Sequence, residues 1–171
     1  MSDTGRKIRC AVITVSDTRD ETTDGSGRLM MELLAKQGHD TVSYQIVPDE
    51  PIWINLAVTE AVHNESVELV LLNGGTGIAP RDVTVDAILP LLDYEVPGFG
   101  ELFRYLSYQY DIGTAAILSR ATAGVCNKRL IFSVPGSEKA VRLAMERLIL
   151  PELVHALREM KKEASTEGHF L

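Results

Sequence analysis

Residues 70–86 lead an apolar run, Val-Leu-Leu-Asn, into Gly74-Gly75-Thr76-Gly77 and then into Arg81, Asp82, Thr84 and Asp86. The glycines leave backbone N–H groups uncovered, and a helix starting just beyond adds its positive dipole end. Phosphate is the ligand that suits such a place. A glycine pair after a strand marks only a tight turn when it stands alone. Here a cation and two carboxylates follow directly, which favours a ligand site. The spacing matches neither a Walker loop, which needs a lysine and a hydroxyl after its last glycine, nor the dinucleotide fingerprint.

Other segments carry residues of the same chemical type. The stretch from Ser16 to Gly27 holds Asp17, Asp20, Glu21 and Asp24, then Ser26 and Gly27. Ser16 and Asp17 suit turn chemistry, Ser26 suits a helix cap, and Asp24 is the carboxylate best placed to do more. Pro97-Gly98-Phe99-Gly100 precedes Glu101, which is expected in a first helical turn, where the dipole favours a carboxylate for structural reasons alone. Ser119-Arg120 ends an apolar run, and the planar fork of an arginine fits phosphate or carboxylate. Pro135-Gly136-Ser137 repeats the pattern of a glycine before a cap. His39, His63, His155 and His169 are scattered without metal-ligand spacing, and no Gly-x-Ser-x-Gly elbow supports nucleophilic hydrolysis.

The elements that must position these residues alternate. Ile8 to Val15 and Val67 to Leu72 read as strands buried on both faces, and Asp40 to Val47 reads as a strand nearer an edge. Helices are expected from Ser26 to Gly38, from Pro51 to about Asn64, briefly from a Thr84 cap, from near Gly100 through Tyr110, from Ser137 to about Leu148, and from Pro151 onward. Thr114 to Leu118 reads as a strand, and Ala121 to Val125 as one arm of a hairpin that turns at Asn127-Lys128 into Arg129 to Val134. Alternation of this kind predicts an α/β fold, a three-layer αβα sandwich on a mostly parallel sheet. Ligands in such sheets sit beyond the strands' carboxyl ends. If their strands are parallel, the loops 16–27, 74–84 and 135–137 meet along one edge.

Composition narrows the class. The chain has 171 residues, 45% of them apolar, which predicts a single domain, with a core over about 8–158 and a mobile tail over about 163–171. A net charge of −7 offers no basic face for nucleic acid or an anionic membrane. Two cysteines without a disulfide or zinc pattern, and no apolar stretch long enough to span a bilayer, predict a soluble cytoplasmic protein.

In their joint order, Thr14-Val-Ser-Asp17, Asp24-Gly-Ser-Gly27, Gly74-Gly-Thr-Gly77, Arg81-Asp-Val-Thr84, Pro97-Gly-Phe-Gly-Glu101, Ser119-Arg120 and Pro135-Gly136 resemble the MoaB/MogA family of molybdenum cofactor biosynthesis. Ile78-Ala79-Pro80 fits the family's B branch. The resemblance implies a molybdopterin-binding fold, a trimer or a hexamer of trimers, and a pocket for molybdopterin, a pterin dithiolene with a terminal phosphate. It also implies a reaction, adenylylation of molybdopterin by Mg-ATP before molybdate insertion; a non-catalytic molybdopterin carrier is the alternative. Molybdopterin and Mg-ATP then enter as substrates, with no permanently bound cofactor.

Carried onto this chain, the resemblance makes Asp82, Asp24 and Glu101 the catalytic carboxylates, with Asp82 and Asp24 on Mg²⁺. It makes Gly74, Gly75, Thr76, Gly77 and Gly136 the phosphate cradle. Ser26, Gly27, Thr84, Ser119, Arg120 and Pro135 complete the binding surface, with Ser119 and Arg120 on the pterin phosphate or the nucleotide.

Overall fold

A computed structural model describes residues 5–162. The strands β1 (Arg9–Val15), β2 (Asp40–Val47), β3 (Leu69–Asn73), β4 (Tyr94–Glu95), β5 (Thr122–Cys126) and β6 (Arg129–Val134) form one sheet in the order β2-β1-β3-β6-β5-β4. The first four in that order run parallel, while β5 and β4 are antiparallel additions at one side. The β5–β6 hairpin turns at Asn127 and Lys128, whose φ values of 47° and 62° give the left-handed geometry of a tight two-residue turn.

Helices α1 (Gly25–Lys36), α2 (Pro51–His63), α3 (Thr84–Ile88), α4 (Pro97–Tyr110), α5 (Glu138–Ala144) and α6 (Leu150–Met160) cover the two faces. One core joins α1, α4, α5 and α6 to Val12, Leu69, Leu71, Phe132 and Val134; the other joins α2 and α3 to Ala11, Ile13, Val70, Leu72 and Ile131. Alternate residues of β1 and β3 thus feed opposite faces, and every residue of β3 is buried. The continuous apolar runs exist because both faces are covered. Strand β2, with its weaker alternation, lies at the sheet's edge.

Four local expectations are corrected. Residues Gly113–Leu118 form a 3₁₀ helix, not a strand, and Ile117 is 82% exposed there. Asp24, not Ser26, caps α1, by accepting the Gly27 N–H. Thr84 is the first residue of α3 and makes no capping bond. Helix α4 opens at Pro97, which moves Glu101 beyond its first turn. The last two helices are one continuous rod, with a widened π turn at Met145–Ile149 before Pro151. The tail expected to be mobile lies outside the described residues.

Candidate active site at the carboxyl edge of the sheet

Parallel pairing of β1, β3 and β6 brings their three following loops together, as the alternating pattern requires. The contact is close. A Cβ on Gly74, whose φ is 102°, would lie 2.2 Å from the Val15 carbonyl oxygen, and a Cβ on Gly136 would lie 3.2 Å from the Gly74 Cα. At Gly74 only glycine fits, and at Gly136 a side chain would require the neighbouring backbone to shift by a few tenths of an ångström.

The glycine loop that follows is pinned at its ends and open in its middle. Gly74 donates to the Val134 carbonyl at 2.9 Å, and Thr84 donates to the Gly75 carbonyl at 3.1 Å. Among the described residues, the N–H groups of Gly75, Thr76 and Gly77 donate to no protein acceptor. Unpaired N–H groups at one turn form an anion cradle. The Thr84 hydroxyl is buried beneath it without a partner, 2.2 Å from where a Cβ on Gly75 would stand.

Asp82 sits half-buried against this loop. One of its oxygens accepts the Ala79 N–H at 2.9 Å and lies 2.7 Å from the position a Cβ on Gly77 would take. Asp49, in the loop after β2, faces the same place, 3.4 Å from a Gly75 Cβ position. Burial, and then the nearby Asp17 charge, hold its carboxyl above the usual carboxylate range. Sequence reasoning missed Asp49 because Pro48-Asp49-Glu50-Pro51 reads as an ordinary lead-in to a helix. Its position directly after the edge strand was the available signal.

Asp24 has a different role from the one expected. Its side chain is fully buried; one oxygen accepts from Thr14 at 2.6 Å and from Tyr44 at 2.5 Å, and the other accepts from Gly27 N–H at 2.9 Å with Arg19 at 3.8 Å. Both oxygens are engaged within the protein and the side chain is wholly buried, so Asp24 does not fit as a metal ligand. It ties β1, β2 and α1 together, and the Asn73 side chain extends the network by donating to Thr14 at 2.9 Å. Ser26 donates to the Gly136 carbonyl at 2.6 Å, and Arg19 reaches the same oxygen at 2.8 Å, so both hold the third loop in place.

The arginines are occupied as well. Arg81 grips Asp17 through two bonds of 2.6 and 3.0 Å and reaches Glu50 at 3.1 Å, which holds the Asp17 carboxyl well below its ordinary value. The pair is exposed, so its worth is orientation of two loops more than stability, which such pairs change by about 0–1 kcal/mol. Arg120 binds Asp86 and two loop carbonyls. Glu101, Ser119 and Arg120 line an open cleft of about 320 Å³ together with Arg104 and Pro97. Glu101 is thus grouped with Ser119 and Arg120, while Asp82 and Asp49 flank the glycine loop.

A mostly parallel α/β sheet with open backbone N–H groups and carboxylates at its carboxyl edge defines a class of α/β protein whose ligands sit beyond the strand ends. Within that class, the chain belongs to the family whose model is described as a probable molybdopterin binding domain, which matches residues 11–155. It is 56% identical over 156 residues to molybdenum cofactor biosynthesis protein B of Bacillus subtilis, covering 91% of this chain and 92% of that protein. A crystal structure of a molybdenum cofactor biosynthesis protein B superposes with a TM-score of 0.90 at 52% identity, covering 92% of this chain and 98% of the other. The tungsten cofactor synthesizing protein MoaB from Pyrococcus furiosus superposes at 0.82 with 39% identity, over 92% and 99% of the two chains.

Proposed function

We propose that the protein acts in molybdenum cofactor biosynthesis by binding molybdopterin and adenylylating it with Mg-ATP. The observation that carries this reading is the run of unpaired N–H groups at Gly75, Thr76 and Gly77, with Asp82 and Asp49 beside it. Family membership and relatives named for the pathway support the same substrate class.

In the reaction, an oxygen of the molybdopterin phosphate attacks the α-phosphorus of ATP; the new P–O bond forms as the bond to the β-phosphate breaks, and pyrophosphate leaves. Such transfers ask a protein for positioning and charge neutralisation more than for covalent work. The cradle N–H groups hold phosphate oxygens. Mg²⁺ binds through one or two carboxylates together with phosphate oxygens and waters, so a full protein cage is not needed. Among the described residues no group of three or more His, Cys, Asp or Glu side chains stands ready for a metal. Asp82 is the carboxylate assigned to Mg²⁺, with Asp49 taking the place first given to Asp24. Glu101, with Ser119, lines the second cleft, where the other substrate's polar groups would lie.

We further propose a trimer, or a hexamer built from trimers, working in the cytoplasm. The deciding experiment for the substrate is titration of the purified protein with molybdopterin, with and without Mg-ATP. Saturable binding followed by adenylyl-molybdopterin supports the full reading. Saturable binding without product leaves a molybdopterin carrier, and no binding by the folded protein removes both.

A further inference from the structure

We infer that Arg120 is a positioning residue that aims the N–H groups at the end of the glycine loop, Gly77 and Ile78, and is not itself a ligand to the bound anion. Its Nε donates to the Gly77 carbonyl at 2.9 Å, Nη2 to the Asp82 carbonyl at 2.7 Å, and Nη1 to both Asp86 carboxylate oxygens at 2.9 and 3.0 Å. Its backbone N–H donates to the Thr76 carbonyl at 2.8 Å. One residue therefore holds three residues of the segment between β3 and α3, Thr76, Gly77 and Asp82, and one residue of α3, Asp86.

The direction of these bonds matters more than their number. In a planar trans peptide the C=O and the next N–H point opposite ways. Anchoring the carbonyls of Thr76 and Gly77 on Arg120 turns the N–H groups of Gly77 and Ile78 to the far side of their peptide planes. Arg120 is fixed from behind in turn, because Arg104 of α4 donates to the carbonyls on either side of it, to Ala121 at 2.8 Å and to Ser119 at 3.4 Å. A planar guanidinium fork spreads five N–H donors over separated acceptors, whereas a lysine ammonium gathers its three donors at one point.

The inference rests on the reading that this loop binds the substrate phosphate, but its first test needs no ligand. Amide exchange by NMR in ligand-free Arg120→Lys and Arg120→Ala should quicken about tenfold at Ala79, Asp82 and Thr84, whose N–H groups are bonded within the loop, and change less than about twofold in β1 and β3. Asp86→Asn, at an exposed carboxylate, should quicken the same amides about threefold and add nothing in the Arg120→Ala background. Molybdopterin affinity should fall in step with the loop's loss of protection. Lost affinity with unchanged loop exchange would make Arg120 a direct phosphate ligand and overturn the inference. Faster exchange throughout the sheet would overturn it too, by showing only a stability role. If the unaltered protein binds no molybdopterin, the substrate reading fails while the exchange result still decides the arginine's part in shaping the loop.

Discussion

Asp82 and Gly74 show how single residues divide between chemistry and architecture. The Asp82 carboxylate is held by one N–H and lies beside the open cradle, so Asp82→Ala should remove charge handling without collapsing the loop. Adenylyl transfer should fall by about 10² or more, with molybdopterin affinity within about threefold of the unaltered protein, as measured by single-turnover kinetics and titration. Gly74 is architectural. A methyl group there meets the Val15 carbonyl at 2.2 Å on a backbone with φ of 102°, so Gly74→Ala should cost about 3 kcal/mol in denaturant unfolding. Gly98, in the first turn of α4 with nothing within 4 Å of its Cβ position, is the matched control; Gly98→Ala should gain about 0.5 kcal/mol or leave stability unchanged.

At the scale of elements, what local patterning could reveal was settled by burial and turn chemistry. The β-branched runs of β1 and β3, the Asn127-Lys128 hairpin and the glycine stop of α1 all follow from residue type. Thr114 to Leu118 did not, because a five-residue apolar run carries no period that separates strand from helix. It is a 3₁₀ helix with Ile117 and Leu118 turned outward and only Ala116 buried. The convergence of the three loops was legible from alternation alone, but Asp24's burial was not, since its partners Thr14 and Tyr44 come from two other strands. Asp49 stayed hidden for the same reason, as its neighbours at the site lie on a distant loop. His39 gives this scale its own prediction. It ends the α1–β2 connection, and its Nδ1 accepts the Ile8 N–H at 3.1 Å; burial lowers its pKa from 6.5 despite the nearby Asp40 and Glu68 charges. The unfolded chain therefore takes up a proton first as pH falls through about 6.5, so the folded state loses stability there and the loss levels off below the folded pKa. Urea unfolding from pH 8 to 5 should show this fall for the unaltered protein and a flatter profile for His39→Asn.

Across the whole molecule, most of the exposed large apolar residues lie on two helical regions. Leu102, Tyr105, Ile112 and Ile117 line α4 and the turns after it, and Ile52, Trp53 and Leu56 lie along α2. Patches of this kind mark contact surfaces. Light scattering should give a mass that is a multiple of three chains, and Ile117→Asp should shift it toward smaller species; a monomer in the unaltered protein would contradict the assembly. The α4 surface is also joined to the site, because Arg104 of α4 holds the backbone around Arg120, which holds the glycine loop. The chemistry should therefore be measured on the assembled protein. The most direct measurement is a single-turnover reaction of that protein with molybdopterin and Mg-ATP, following adenylyl-molybdopterin and pyrophosphate together. The account predicts that the two products appear in equal amounts and depend on both Mg²⁺ and Asp82. Bound molybdopterin that stays unmodified, with no pyrophosphate released, would contradict it.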